Sequence, residues 1–307
     1  MLGICVVYLV RDPDSEALAR EHLQRLYRHT AGNYRIYGVC LEGCEPTIRA
    51  LAAEIGEVPL QIVPPPKTMP DQTSLQHSTL LDTLVEVAIA DGCDLLAAFD
   101  NDSWPLQDAW NEMYAERLTE SYPVASICRT EIGDNFPLAA FTIFRSSFWR
   151  SGESSFGSRL TTGFRDEFAE IATRPKETGS GILTQLRNER SGFLRLEKSN
   201  QWNPHYVMAA IYDGTIFHFG SGSRNPWFVW DHQVYETARN EVAIDFARRA
   251  NDGIRTALLN LLADDADAFY AALSGSSMDR LEPLPTDSIG LPKTLGRIPR
   301  GRRHVIS

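Results

Sequence analysis

Apolar residues open this chain as an unbroken run from Ile4 to Val10, rich in β-branched side chains. A run without polar alternation predicts a strand covered on both faces, as in a parallel sheet. Asp12-Pro13 follows as helix cap and first helical residue, and Ala19, Leu23, Leu26 and Tyr27 then recur at helical spacing through a charged segment. Tyr34 to Leu41 predicts a second strand. Pro46 onward predicts a helix bearing Ile48, Leu51, Ala52 and Ile55, and Val58 to Val63 a third strand that stops at Pro64-Pro65-Pro66. Past a polar loop through Asp71, the residues Leu80, Leu84 and Val87 share a helix face that Asp91-Gly92 closes. Such alternation predicts an α/β fold on a mostly parallel central sheet flanked by helices.

Leu95 to Phe99 is the most apolar short stretch and ends directly in Asp100-Asn101-Asp102. Pro105 is expected to begin a helix carrying Trp110, Met113 and Leu118, with Val124 to Cys128 and Leu138 to Phe144 as further strands. Gly and Ser dominate from Ser151 to Gly163, which predicts a loop. Ile182, Leu183 and Leu186 mark a helix, while Val207 to Tyr212 and Thr215 to Phe219 flank Asp213-Gly214, a hairpin signal. Beyond Trp230 the pattern is helical to about Leu273. The expected organisation is one α/β domain over 1–230, a helical extension packed on it over 231–277, and a Pro- and Arg-rich tail over 278–307.

The 307 residues leave room for a substantial core, and 43% apolar with 23% charged residues is a globular balance. A formal net charge of −10 argues against a nucleic-acid partner, which needs a basic surface to displace counterions. A phosphate ligand would have to be held locally, by a metal, backbone NH groups or a few placed cations. No segment approaches the roughly 20 continuous apolar residues of a membrane helix, and no basic leader precedes an apolar stretch and cleavage site. The expectation is a cytoplasmic protein that is not integral to a membrane. Five cysteines, mostly within apolar runs, suit buried reduced thiols.

Side chains alternate along extended backbone, so Asp100 and Asp102 are expected to face one way with alpha carbons roughly 7 Å apart. They would stand outside the carboxyl end of a buried strand, where open α/β sheets gather ligands. Oxygen ligands suit Mg²⁺ or Mn²⁺, which can bridge carboxylates to diphosphate oxygens. The alternative is a simple Asx-rich turn.

The block Leu95-Leu96-Ala97-Ala98-Phe99-Asp100-Asn101-Asp102 resembles the strand and DxD motif of GT-A-fold glycosyltransferases, in particular family 2-like nucleotide-sugar transferases, and Trp104-Pro105 resembles the aromatic and proline that often follow. The resemblance implies a GT-A-like fold, a nucleoside-diphosphate-sugar donor, a hydroxyl acceptor, and Mn²⁺ or Mg²⁺ on Asp100 and Asp102, with Asn101 beside the donor. It places a third metal ligand on a later strand, where His218 stands in Ile216-Phe217-His218-Phe219-Gly220; a satisfied core histidine is the alternative. After Gly220-Ser221-Gly222-Ser223, Arg224 would steady the leaving diphosphate, or be a surface arginine.

Tyr8, with Arg11, and Glu42 occupy the strand ends where such enzymes hold base and ribose, and His77 and Asp82 the helix start beside the donor. Glu177 in Lys176-Glu177-Thr178-Gly179 resembles the acidic motif before the acceptor-side helix of inverting members, and would be the general base. A carboxylate favoured by a helix dipole is the alternative there. The implied activity is metal-dependent, inverting transfer of a sugar to a hydroxyl. The helical extension has no counterpart in the resemblance, and shaping the acceptor side or making a homodimer contact are its two expected uses. Two other readings stay open. Sugar-phosphate nucleotidyl transfer would resemble a glycine-rich loop after the first strand, and Val10-Arg11-Asp12-Pro13 has no glycine. A noncatalytic carbohydrate-binding protein would use Trp202, Tyr206, Trp227, Phe228 and Trp230.

Overall fold

The computed structural model describes residues 1–70, 73–128, 136–151, 154–157, 178–200, 209–220 and 255–274. In chain order they form β1 (Leu2–Tyr8), α1 (Pro13–His29), β2 (Tyr34–Cys40), α2 (Glu45–Ile55), β3 (Leu60–Ile62), α3 (Thr73–Ala90) and β4 (Leu95–Asp100). There follow β5 (Ser103–Pro105), α4 (Trp110–Arg117), β6 (Val124–Ile127), β7 (Phe141–Arg145), α5 (Ser146–Arg150), α6 (Ser180–Asn188), β8 (Leu194–Leu196), β9 (Ala210–Tyr212) and β10 (Ile216–His218). Helical residues 255–264 and the helix Ala266–Ser274 complete the described chain.

Among the described residues seven strands form one sheet in the order β3-β2-β1-β4-β7-β6-β8. β1 pairs in parallel with β2 and β4, β2 with β3, and β6 with β8, while β7 runs antiparallel between β4 and β6. This is the expected α/β architecture, a mostly parallel sheet flanked by helices. The unbroken apolar run of β1 has its cause in burial on both faces. Leu2, Ile4, Val6 and Tyr8 join a core with Leu23 and Leu26 of α1 and Ile48 and Leu51 of α2. Cys5 and Val7 join the opposite core with Leu80, Leu84 and Ala88 of α3. At Gly3 a Cβ would come within 2.9 Å of the Ala88 Cβ, so α3 closes onto the sheet only because that side chain is missing.

α1 starts where the sequence placed it. Asp12 accepts from the Ser15 amide at 2.7 Å and Ser15 Oγ in turn accepts from the Asp12 amide at 3.0 Å, with Pro13 as first helical residue. The start of α4 is a correction. Pro105 does not open a helix: Trp104 and Pro105 lie in β5, and helix begins at Trp110 after Ala109 turns left-handed at φ 54°. β5 is an edge strand, where a residue lacking an N–H costs no ladder bond, and the buried indole of Trp104 packs on Phe217. Tertiary packing overrode the local preference of proline.

β5, β10 and β9 form a second, antiparallel sheet. The expected hairpin is present, with Asp213 and Gly214 both at positive φ between β9 and β10. Leu258, Leu259, Leu262, Phe269 and Leu273 cover this sheet at Trp104, Phe217 and Phe219. The residues at the expected boundaries, 230–231 and 277–278, lie outside the described set. The cysteines are free thiols, Cys40 half-buried and the others buried. Among the described residues no helix is long and apolar enough to cross a membrane.

Candidate metal centre

β4 delivers Asp100 to the carboxyl edge of the parallel sheet, in register with Val7 of β1. A two-residue turn, Asn101 and Asp102, then leads straight into β5. Several hydrogen bonds tie this turn down. Asn101 donates through Nδ2 to the Leu9 carbonyl at 3.1 Å. Ser103 Oγ lies 3.1 Å from the Asp100 carbonyl oxygen and also bonds that of Ala140. The Phe219 amide donates to the Asp102 carbonyl at 2.8 Å. The Ser103 carbonyl accepts from His22 Nδ1 at 2.6 Å. β5 pairs with β10 so that Ser103 stands opposite His218.

The consequence is a cluster. One ligand atom each from Asp100, Asp102 and His218 lies within 4.8 Å of the others. The two carboxylates converge as expected, but for a different reason: the chain turns after Asp100, and the turn aims both groups together. Asp102 and His218 are nearly closed off, at 3% and 7% side-chain exposure, while Asp100 keeps 25%. His218 Nε2 is 3.6 Å from Asp102 Oδ1. Two carboxylates held this close repel one another, and a divalent cation between them removes that cost. The donor set fits such an ion: two hard oxygens, an imidazole, and a mouth at Asp100 for ligand or water. His218 Nδ1 is moreover buried with no hydrogen-bond partner among the described residues, so its ring is not saturated by protein bonds.

His77 joins the site from α3, its Nε2 3.5 Å from Asp100 Oδ1 and its Nδ1 3.4 Å from Thr178 Oγ1. Glu42, left-handed at φ 52°, pairs with Arg11 through Nε to Oε2 at 2.7 Å. Both are half-exposed at the ends of β1 and β2, the same edge as Asp100. Arg11 holds the Glu42 carboxyl below its ordinary range through that bond. Three further expected donor residues are engaged by the protein itself. Tyr8 is buried with its ring edge-on to His22, Asn101 is 2% exposed, and Asp82 accepts from Ser155 Oγ at 2.6 Å and the Phe156 amide at 2.7 Å. Asp82 thereby holds residues 154–157 against α3. Glu177 and Arg224 lie outside the described residues, as do Trp202, Tyr206, Trp227, Phe228 and Trp230.

Sequence reasoning missed His22. It lies on the apolar face of α1 with Ala19, Leu23 and Leu26 and is fully buried, edge-on to Tyr8 and Phe99. A histidine interrupting the buried face of a helix was the available signal. Desolvation lowers its pKa from 6.5 to about 4, partly opposed by the Ser103 carbonyl and Asp100. Because the folded pKa lies below the unfolded value, the unfolded chain binds more protons between these limits, and stability falls as pH drops from 6.5 toward about 4. At about 1.4 kcal/mol per unit the loss amounts to a few kcal/mol. Denaturant unfolding at pH 7 and pH 4.5 is expected to show this loss in the wild type and a smaller one in His22→Asn.

A comparison with solved structures gives similarities of low identity. The 1–349 segment of S. aureus TarS, in complex with UDP-GlcNAc, is 11% identical with a TM-score of 0.36, covering 50% of this chain and 48% of that one. Mouse xyloside xylosyltransferase 1 is 12% identical with a TM-score of 0.38, covering 63% and 84%. A putative nucleotide-diphospho-sugar transferase from Desulfovibrio desulfuricans is 14% identical with a TM-score of 0.37, covering 64% and 79%. The chain thus spans about half of the TarS segment it matches. No protein-family model and no curated protein matches the chain.

Proposed function

We propose that this chain is a metal-dependent glycosyltransferase of the GT-A type, working in the cytoplasm on a nucleoside-diphosphate sugar and a hydroxyl acceptor. The observation that carries the reading is the convergence of Asp100, Asp102 and His218 within 4.8 Å at the carboxyl edge of β1 and β4. A bare Asx turn would leave its carboxylates in water. Here one of the two is buried beside a histidine from another strand, and such burial of like charge is unfavourable without a cation.

In this reading Asp102 and His218 are the inner ligands and Asp100 the outer one, open to a diphosphate. When bound, the cation supplies Lewis-acid stabilisation of the charge that develops on the departing diphosphate. Imidazole in the donor set favours Mn²⁺ over Mg²⁺. His77 steadies the Asp100 carboxylate and presents a ring to the donor. The Arg11–Glu42 pair borders the place for base and ribose, with Tyr8 in its floor, while Asn101 and Asp82 hold the backbone around the donor. Arg224 on the diphosphate and Glu177 as base of an inverting displacement complete the assignment, and Thr178 next to Glu177 reaches His77.

A melting-temperature screen of nucleoside diphosphates with Mn²⁺ or EDTA tests it. A ligand that binds only the folded state at 100 times its dissociation constant stabilises by about 2.7 kcal/mol, and the rise is expected with Mn²⁺ alone of the two additives. An equal rise in EDTA would remove the metal from the reading. Release of pyrophosphate from a nucleoside triphosphate and a sugar phosphate would replace it with nucleotidyl transfer.

A further inference from the structure

We infer that His22 is a positioning residue for the metal centre: from inside α1 it holds the Ser103 carbonyl and so fixes the turn that sets Asp102 beside His218. The inference rests on the proposed metal site and adds to it a residue that touches neither metal nor donor.

A carbonyl oxygen only accepts, so at 2.6 Å His22 Nδ1 must carry the hydrogen. That leaves Nε2 as a lone pair, and it is buried without a partner among the described residues. The ring itself sits between Tyr8 and Phe99 in an apolar core. An apolar side chain would fill that space without stranding a nitrogen, so the bond to Ser103 is the physical reason for an imidazole there.

Ser103 is the joint of the site. It follows Asp102 directly and pairs with His218 across the ladder. The Asp102 carbonyl is held by the Phe219 amide and the Ser103 carbonyl by His22, so the peptides on both sides of Ser103, the residue that joins Asp102 to β5, have fixed directions. The grip extends one residue further. Trp104 Nε1 donates to Tyr270 Oη at 2.8 Å, and Tyr270 Oη donates to Glu21 Oε1 at 3.0 Å. Arg25 Nε holds the same Glu21 oxygen at 2.7 Å. Consecutive residues of α1, Glu21 and His22, thus secure consecutive residues of β5, directly and through Tyr270. Metal ligation tolerates displacements of only about 0.2 Å, and groups that orient ligands typically contribute 10–100-fold in metal affinity.

Asparagine and glutamine separate the bond from the packing. His22→Asn offers an amide N–H near the place of Nδ1; His22→Gln carries its N–H near the place of Nε2, away from Ser103. Mn²⁺ binding is measured directly, from the electron paramagnetic resonance signal of free Mn²⁺, on full-length chains whose fold is checked by circular dichroism. Wild type and His22→Asn are expected to bind within a few-fold of each other, and His22→Gln 10–100-fold more weakly. Equal Mn²⁺ affinity in wild type and folded His22→Gln overturns the inference alone. Equal losses in both variants refer the effect to packing and overturn it too. A wild-type chain that binds no Mn²⁺, with or without a nucleoside diphosphate, ends the metal reading and this inference with it. Should His22→Gln fail to fold, His22→Asn decides: tight binding supports the inference and weak binding refutes it.

Discussion

Asp102→Asn is expected to abolish the proposed sugar transfer, by at least about a thousandfold, while leaving the fold in place. The substitution keeps size and shape, turns one acceptor oxygen into an NH2 donor, and removes one charge from a side chain that is 3% exposed. A cation that stabilises a departing diphosphate contributes several kcal/mol to the transition state. At about 1.4 kcal/mol per tenfold in rate, a loss of about 4 kcal/mol accounts for that thousandfold. The metal-free protein should not suffer, because one of two facing carboxylates becomes neutral and their repulsion disappears. Its melting temperature is therefore expected to stay level or rise, while the increase caused by Mn²⁺ in the wild type is lost. Transfer assays paired with melting curves in Mn²⁺ and in EDTA read both effects. Unchanged turnover in a variant of unchanged fold would dismiss Asp102 as a ligand.

Much of this architecture is legible because burial on both faces leaves a local signature. The runs at β1, β2 and β4 mark strands regardless of what packs on them, and Asp100 is conspicuous for standing where such a run stops. The hairpin signal at Asp213 and Gly214 marks the strand that carries His218, and the family resemblance singles that histidine out. What escapes is information that only register and distance provide. Asn101 and Asp102 form a turn and not extended chain, and nothing local says so. Pro105 reads as a helix start until Phe217 and Tyr270 are seen packed against Trp104. β7 lies antiparallel in an otherwise parallel neighbourhood, and β8 has three residues, too few for any periodicity. His22 meets Ser103 across 81 positions. The inward turn of Tyr8 was nevertheless available from parity: it shares its face of β1 with Leu2, Ile4 and Val6, and that face is covered by α1 and α2.

Phe217→Ala is the substitution with the largest expected cost in stability. Phe217, at the middle of β10, is completely buried, with ring centroids 5.0 Å from Trp104, 5.2 Å from Tyr270, 6.0 Å from Phe269 and 6.5 Å from Phe219. Truncating a buried phenylalanine to alanine removes its transfer energy and leaves a cavity, about 3–5 kcal/mol together. The second sheet has little else to resist with, since β5, β9 and β10 are three residues each. Its cohesion comes from the aromatic layer that joins it to residues 255–274. For a chain of this size the loss corresponds to a fall in melting temperature of very roughly 10 °C. The neighbouring His218 must lose definition with it, so Mn²⁺ affinity should fall in parallel, and Phe217→Leu should recover most of both. Denaturant unfolding of the two variants is decisive: a cost under about 1 kcal/mol for Phe217→Ala would mean that the aromatic layer does not hold β10, and that His218 is positioned by something else.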